Sequence, residues 1–153
     1  MGKRKNGKRK YKTKHTLLRN TDYKIQYVRR GIFSPDIIFK NITTHKNRNK
    51  DVIFNGRIVN MFSLRYKTFL RSGLTCHYCG LTASYFALEK FNNKQQRDSK
   101  RFHFNLYGVD SKSGKEILFT KDHIKPKSKG GSNQLSNLQT LCVNCNNKKD
   151  DRY

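Results

Sequence analysis

Asp122 and His123 stand side by side in the stretch TKDHIKPKSKGG, residues 120–131, followed by Lys125, Lys127, Lys129 and the pair Gly130-Gly131. An acid thus adjoins an imidazole, the one side chain that ordinarily titrates near neutral pH. The loop after them has the charge to attract a phosphate without regard to base sequence. A plain surface turn would need the glycines for positive φ and would tolerate the lysines. It would have no use for the acid–imidazole pair.

A second group of residues suits metal chemistry. The four cysteines fall into two C-x-x-C pairs, Cys76/Cys79 and Cys142/Cys145. The two intervening residues of each pair form a tight knuckle that grips an ion from two sides. Two knuckles complete a tetrahedral four-sulfur shell with no open position, which is a structural Zn²⁺ site rather than a catalytic one. A redox dithiol would require a redox-fold pattern around one of the pairs, and neither has one. His77 lies inside the first knuckle, but four thiolates already fill the shell. Apolar residues make up only 34% of the chain and Trp is absent, so the small core needs such a staple. Structural zinc supplies roughly 10–16 kcal/mol of apparent folding free energy in small domains.

The elements that must position these groups follow from pattern. RFHFNLYGV and EILFTKDHI are β-rich runs joined by DSKSGK, a hairpin turn, and the second run ends at Asp122-His123. After the lysine–glycine loop, NLQTLC (137–142) is a short strand, and VNCNNKKDD begins a helix carrying Cys145, Asn146 and Lys149. Upstream, Ile58, Met61, Phe62, Tyr66, Phe69 and Leu70 recur at helical spacing, with Ser72-Gly73 as a stop. The expected helix has a basic exposed face, on which Arg65 and Arg71 are candidate nucleic-acid contacts. YKIQYV (23–28) and DIIF (36–39) read as short strands, with breaks at Gly31 and Pro35. LTASYFALEKF and the residues after it read as a short helix and a polar loop. Residues 1–15 hold eight Lys/Arg and no acid, which predicts a disordered arm.

Strand, loop, strand and helix in that order, clasped by cysteine knuckles, resemble the HNH endonuclease family. The residues that carry the likeness are CHYCG (76–80) and DHIKPKSKGGSNQLSNLQTLCVNCNNKK (122–149), within roughly residues 73–151. The resemblance implies an α+β fold, a small ββα-metal core stapled by a Cys₄ zinc site, with a basic N-terminal extension. The expected organisation is an arm at 1–15, an extension at 16–72 ending in the amphipathic helix, and a nuclease domain at 73–153. It also implies that His123 is the general base and that Asp122 helps to hold a divalent ion. Asn137 would orient the histidine and steady the loop. Asn146 takes the third motif position as the second metal ligand, a position usually held by histidine; a shift of one residue would put Asn147 there instead. An amide and a carboxylate oxygen form a hard ligand set that favours Mg²⁺ or Mn²⁺. Lys125, Lys127 and Lys129 would lie beside the scissile phosphate.

The 34 Lys+Arg against 10 Asp+Glu, a net charge of +24, make a polyanion the expected partner. The implied function is metal-dependent hydrolysis of DNA phosphodiester bonds, nicking one strand or cutting both, with RNA not excluded. The alternative is a noncatalytic, zinc-stapled nucleic-acid-binding protein. No secretory signal or membrane-spanning run is visible, so a reducing cytoplasm is the expected compartment. The abundance of Lys, Asn, Ile, Phe and Tyr fits a phage or mobile element. His15, His45 and His103 sit at no informative spacing from other candidate groups and read as surface or packing residues.

Overall fold

The computed structural model describes residues 27–42, 51–91 and 101–150, without the side chains of Phe91 and Asp150. The basic arm, residues 23–26, His15, His45 and the polar loop of residues 92–100 lie outside them. Five antiparallel strands form the main sheet in the order β1 (Tyr27–Phe33), β4 (Ala83–Phe91), β5 (His103–Val109), β6 (Glu116–His123) and β7 (Leu138–Cys142). A separate hairpin pairs β2 (Asp51–Phe54) with β3 (Arg57–Asn60). Three α-helices, α1 (Pro35–Lys40), α2 (Leu64–Ser72) and α3 (Val143–Asp150), and two short 3₁₀ turns, Lys127–Lys129 and Leu135–Asn137, complete the described chain. No helix among the described residues is long and apolar enough to cross a membrane.

The hairpin β5–β6, the strand β7 and the helix α3 form where the sequence patterns place them. Four other elements differ from expectation, the first being β1, which runs through Gly31, expected as a break, with a shift of register between Arg29 and Ile32. DIIF is helical because Pro35, with its fixed φ, occupies the first turn and Asp36 follows it, as suits a helix N-terminus. Residues 58–60, expected within a helix, belong to β3. Asn55-Gly56 makes the turn of an alternating hairpin whose Ile53 and Ile58 are paired, and this local chemistry overrides the three- and four-residue spacing. α2 starts only at Leu64, where Ser63 Oγ accepts the Arg65 N–H. β4 was expected as a helix because it lacks alternation. The strand is covered on both sides, with Phe86, Ala87, Leu88 and Glu89 all buried, and such a strand reads as a continuous run.

One face of the sheet carries an aromatic core. Phe86 and Phe104 are wholly buried and meet Phe33, Phe39, Phe54, Tyr66 and Phe69 with centroids 4.9 to 6.5 Å apart, mostly edge-on. These rings come from β1, α1, the small hairpin and α2, so all of them share a single core with β4 and β5. The other face is polar inside. Glu89, 1% exposed, accepts from Arg29 Nε (2.7 Å), Asn105 Nδ2 (2.7 Å) and Tyr107 Oη (2.8 Å). Each buried oxygen is thereby satisfied. Burial and the Glu89 carboxylate together push the Tyr107 pKa up.

The site depends on a divergence between β5 and β6. They pair only from Leu106↔Phe119 to Val109↔Glu116, while Phe119–His123 pairs with Cys142–Leu138 of β7. The start of α2 fills the gap. Tyr66 Oη accepts the Phe104 N–H at 2.8 Å, and Arg65 donates to Asn105 Oδ1 (2.9 Å) and the Phe119 carbonyl (3.1 Å). Arg65, expected on an exposed basic face, instead points inward, because backbone groups at the divergence need donors. Burial pulls its pKa down. Arg71, in the last turn of the same helix, is exposed as expected.

Candidate functional site

The cysteine pairs bring two distant parts of the chain together. Cys76 and Cys79 lie on the turn just after α2, where the Gly80 N–H bonds the Cys76 carbonyl (3.0 Å) and the Cys76 N–H bonds the Leu81 carbonyl (2.8 Å). Cys142 ends β7 and Cys145 lies in the first turn of α3. All four Sγ atoms are within 4.8 Å of one another, and Cys79 and Cys142 are 3.8 Å apart. A disulfide would need about 2.05 Å. Zn–S bonds of about 2.3 Å in a tetrahedron put the sulfurs about 3.8 Å apart. The four cysteines could therefore hold a structural metal such as zinc. Burial raises the Cys76 thiol, but the backbone N–H groups of Cys79, Cys142 and Tyr78 outweigh it and bring its pKa down to about 7. Burial pushes Cys142 and Cys145 up, a balance that a bound cation would reverse. His77 is exposed, and its N–H bonds the Thr140 carbonyl (3.1 Å).

Thr140 also protects the free edge of β7. Its N–H donates to Ser72 Oγ (3.2 Å) and its hydroxyl to the Gly73 carbonyl (2.7 Å). With the His77 bond, three contacts from the end of α2 and the knuckle cover an edge that could otherwise pair with another chain.

β6 ends in Asp122-His123 and β7 starts at Leu138; the loop between them is held by Asn137. Its Oδ1 accepts the Lys125 N–H (2.9 Å), and its Nδ2 donates to the carbonyls of Lys125 (3.1 Å) and Ser132 (2.9 Å). One side chain thus clasps both arms of the loop. Gly130 has φ +82°, as a glycine turn requires, but Gly131 is there for a different reason: a Cβ on it would sit 1.8 Å from the Lys125 carbonyl oxygen. Lys125, Lys127 and Lys129 are exposed on this loop.

The His123 ring turns to the loop as well, with Nε2 2.8 Å from Asn133 Oδ1. With the amide oxygen facing it, Nε2 is the donor of this pair, and in the neutral ring Nδ1 is then the nitrogen left to accept. Asn133 therefore orients the ring, a role expected of Asn137. Asn133 is one polar residue in a loop rich in them, and nothing in the sequence marks it.

Asp122 points the other way along β6 and is nearly buried. Its Oδ2 accepts from Gln139 Nε2 (3.0 Å) and Lys149 Nζ (2.6 Å). Lys149, with a side chain 6% exposed, also donates to the carbonyls of His123 and Ile124. Asn146 is buried and donates to Thr120 Oγ1 (2.8 Å). Thr120 and Asp122 are two apart on one strand and share a face. Asn146 and Lys149 are three apart on one helix and share a face too. Asp122 and Asn146 therefore lie on the same side of β6, with an amide oxygen left over after the bond to Thr120. Those oxygens suit a hard cation, and the Lys149 ammonium already shares the Asp122 carboxylate. Asn147, the neighbouring candidate, has a buried Oδ1 with no hydrogen-bond partner among the described residues.

No curated protein and no solved structure matches the chain. Residues 111–152 match the family model described as HNH endonuclease. That segment, a little over a quarter of the chain, holds Asp122, His123, Asn137, Asn146 and one of the two cysteine knuckles, and it is similar to the HNH endonucleases.

Proposed function

We propose that the protein is a metal-dependent nuclease that hydrolyses DNA phosphodiester bonds, with zinc in the four-cysteine site. The carrying observation is the contact between His123 Nε2 and Asn133 Oδ1 (2.8 Å): it supports a neutral ring whose Nδ1 serves as the base beside a lysine-rich loop. His123 Nδ1 takes a proton from water as the water oxygen attacks phosphorus, the P–O3′ bond breaks, and the leaving 3′ oxygen takes a proton from solvent water, giving a 5′-phosphate and a 3′-hydroxyl. Lys125, Lys127 and Lys129 attract the phosphate backbone, with Arg71 as a further contact. Asn137 keeps the loop closed so that the base and the lysines hold their places. Mg²⁺ or Mn²⁺ held by Asp122 and Asn146 would supply charge against the scissile phosphate and the leaving oxygen.

The test is cleavage of supercoiled plasmid with Mg²⁺, with Mn²⁺ and with no added divalent ion, comparing the wild type with His123→Ala. The substitution should lower cleavage by about 10²–10⁴-fold, the usual contribution of a general base, while circular dichroism stays the same. A second reading, a noncatalytic nucleic-acid binder, is favoured by one observation: the Lys149 ammonium on Asp122. Plasmid binding without cleavage of any DNA or RNA by the folded wild type would establish that second reading.

A further inference from the structure

A cleft of about 420 Å³ lies between the β2–β3 hairpin and the ends of two sheet strands, lined by Arg57, Ile58, Asn60, Lys90, Arg101 and Phe102 among others. Phe102, one of the lining residues, is 7% exposed. The Arg57 guanidinium sits 5.1 Å from the centre of that ring and the Lys90 ammonium 5.5 Å, so one aromatic ring holds two cations. Elsewhere on the sheet a cation is matched by acids: Arg29 has Glu89 and Glu116. Among the described residues no carboxylate forms an ion pair with Arg57, Lys90 or Arg101. Asp51 also lines the cleft, leaving three cations against one acid.

The position of the cleft matters as much as its charge. β4 and β6 are both antiparallel to β5, so they run the same way. Lys90 near the end of β4, Phe102 just before β5 and His123 at the end of β6 therefore lie at one end of the sheet. Because β5 and β6 diverge at this end, β4 and the end of β6 stand further apart than two strand spacings of about 10 Å, a span of about three or more nucleotides of a duplex strand.

We infer that this cleft is a second nucleic-acid subsite, in which Arg57, Lys90 and Arg101 grip the phosphate backbone flanking the scissile bond and Ile58 and Phe102 face the sugars. The inference rests on the nuclease reading for its substrate, and it adds a grip outside the family-matched segment. Phosphate contacts of this kind set position and affinity but not base sequence.

The experiment is fluorescence-anisotropy titration of a labelled 20-base-pair duplex at several salt concentrations, with no divalent ion added so that nothing is cut. It compares the wild type, Arg57→Glu/Lys90→Glu, the milder Arg57→Gln/Lys90→Gln, and a charge-matched control, Lys112→Glu/Lys115→Glu, on the β5–β6 turn at the opposite end of the sheet. Melting curves verify each fold, and the Gln pair serves if the Glu pair does not fold. The cleft variant should bind at least about tenfold more weakly than the control, and its log K against log salt slope should be shallower by about 2, at about 0.9 per lost phosphate contact. Equal weakening in both doubles, or no change in the cleft variant, overturns the subsite. A wild type that binds through the cleft yet never cuts plasmid overturns the nuclease reading and leaves the subsite standing.

Discussion

The two ends of the sheet are held by different physics. Around β1, β4 and β5, rings from six elements interlock on one face, and Glu89 collects three donors on the other. Around β6, β7 and α3 only a few apolar side chains, Phe119 and Leu141 among them, reach the core, and sulfur and polar groups are added: four converging cysteines, the Asn137 clasp, and Lys149 on Asp122. The aromatic half gains a little from each of many contacts, so it loses stability in steps. The site half hangs on a few, and each is costly to remove. The difference suits their roles, since a site needs exposed polar atoms at fixed places and cannot be surrounded by phenylalanine.

Breaking the site half at its staple should have the largest effect. Cys142→Ser, or stripping the metal with a strong chelator, should abolish zinc binding and unfold β6, β7 and α3, as expected where zinc contributes roughly 10–16 kcal/mol. Zinc content by a colorimetric chelator and the near-ultraviolet dichroism check it. In the aromatic half, Phe104→Ala should cost about 3–5 kcal/mol in chemical denaturation while zinc remains bound below the transition. Loss of zinc from that folded variant would show that the two halves are not separately held.

Lys149→Met sharpens the comparison inside the site. With no divalent ion it leaves Asp122 nearly buried and without its cation, and should destabilise by about 3–5 kcal/mol. Added Mg²⁺ should recover part of that loss in the variant and little in the wild type, read as a shift in melting temperature. An equal Mg²⁺ response in both proteins would count against Asp122 as the seat of the ion.

The smallest effect belongs to the exposed rim of the polar network. Arg29 holds the Glu116 carboxyl below its usual range despite partial burial. A depressed carboxylate stabilises the fold above its unfolded pKa and loses that contribution as pH falls through the folded one. Glu116→Gln should therefore cost about 1 kcal/mol or less at pH 7, as for a solvent-screened pair, and the difference from wild type should vanish on acidification. Denaturation at pH 7 and at pH 3 measures both.

Legibility in the sequence followed the range of the interactions. β6, the glycine turn, β7 and the start of α3 could be read because alternation, a Gly-Gly turn and C-x-x-C spacing are local signals. The β2–β3 hairpin was legible too, had Asn55-Gly56 been weighed above the helical spacing that follows it. β4 gave no such signal, because a strand buried on both faces has no period to detect. Asn133, Gln139 and Lys149 carry no mark of their roles either.

The sequence by itself determined the ligand types, the order of the ββα unit and the charge that draws a polyanion, since these depend on residue identity and short spacing. Only the tertiary structure decided which partner each polar group takes. It turned Arg65 inward to the divergence of β5 and β6, gave His123 to Asn133, set Lys149 on Asp122, and left Arg57 and Lys90 together over Phe102. Those pairings join residues 10 to 54 positions apart. At such separations, chain spacing no longer constrains which side chains meet; strand register and the need to satisfy each buried polar group do.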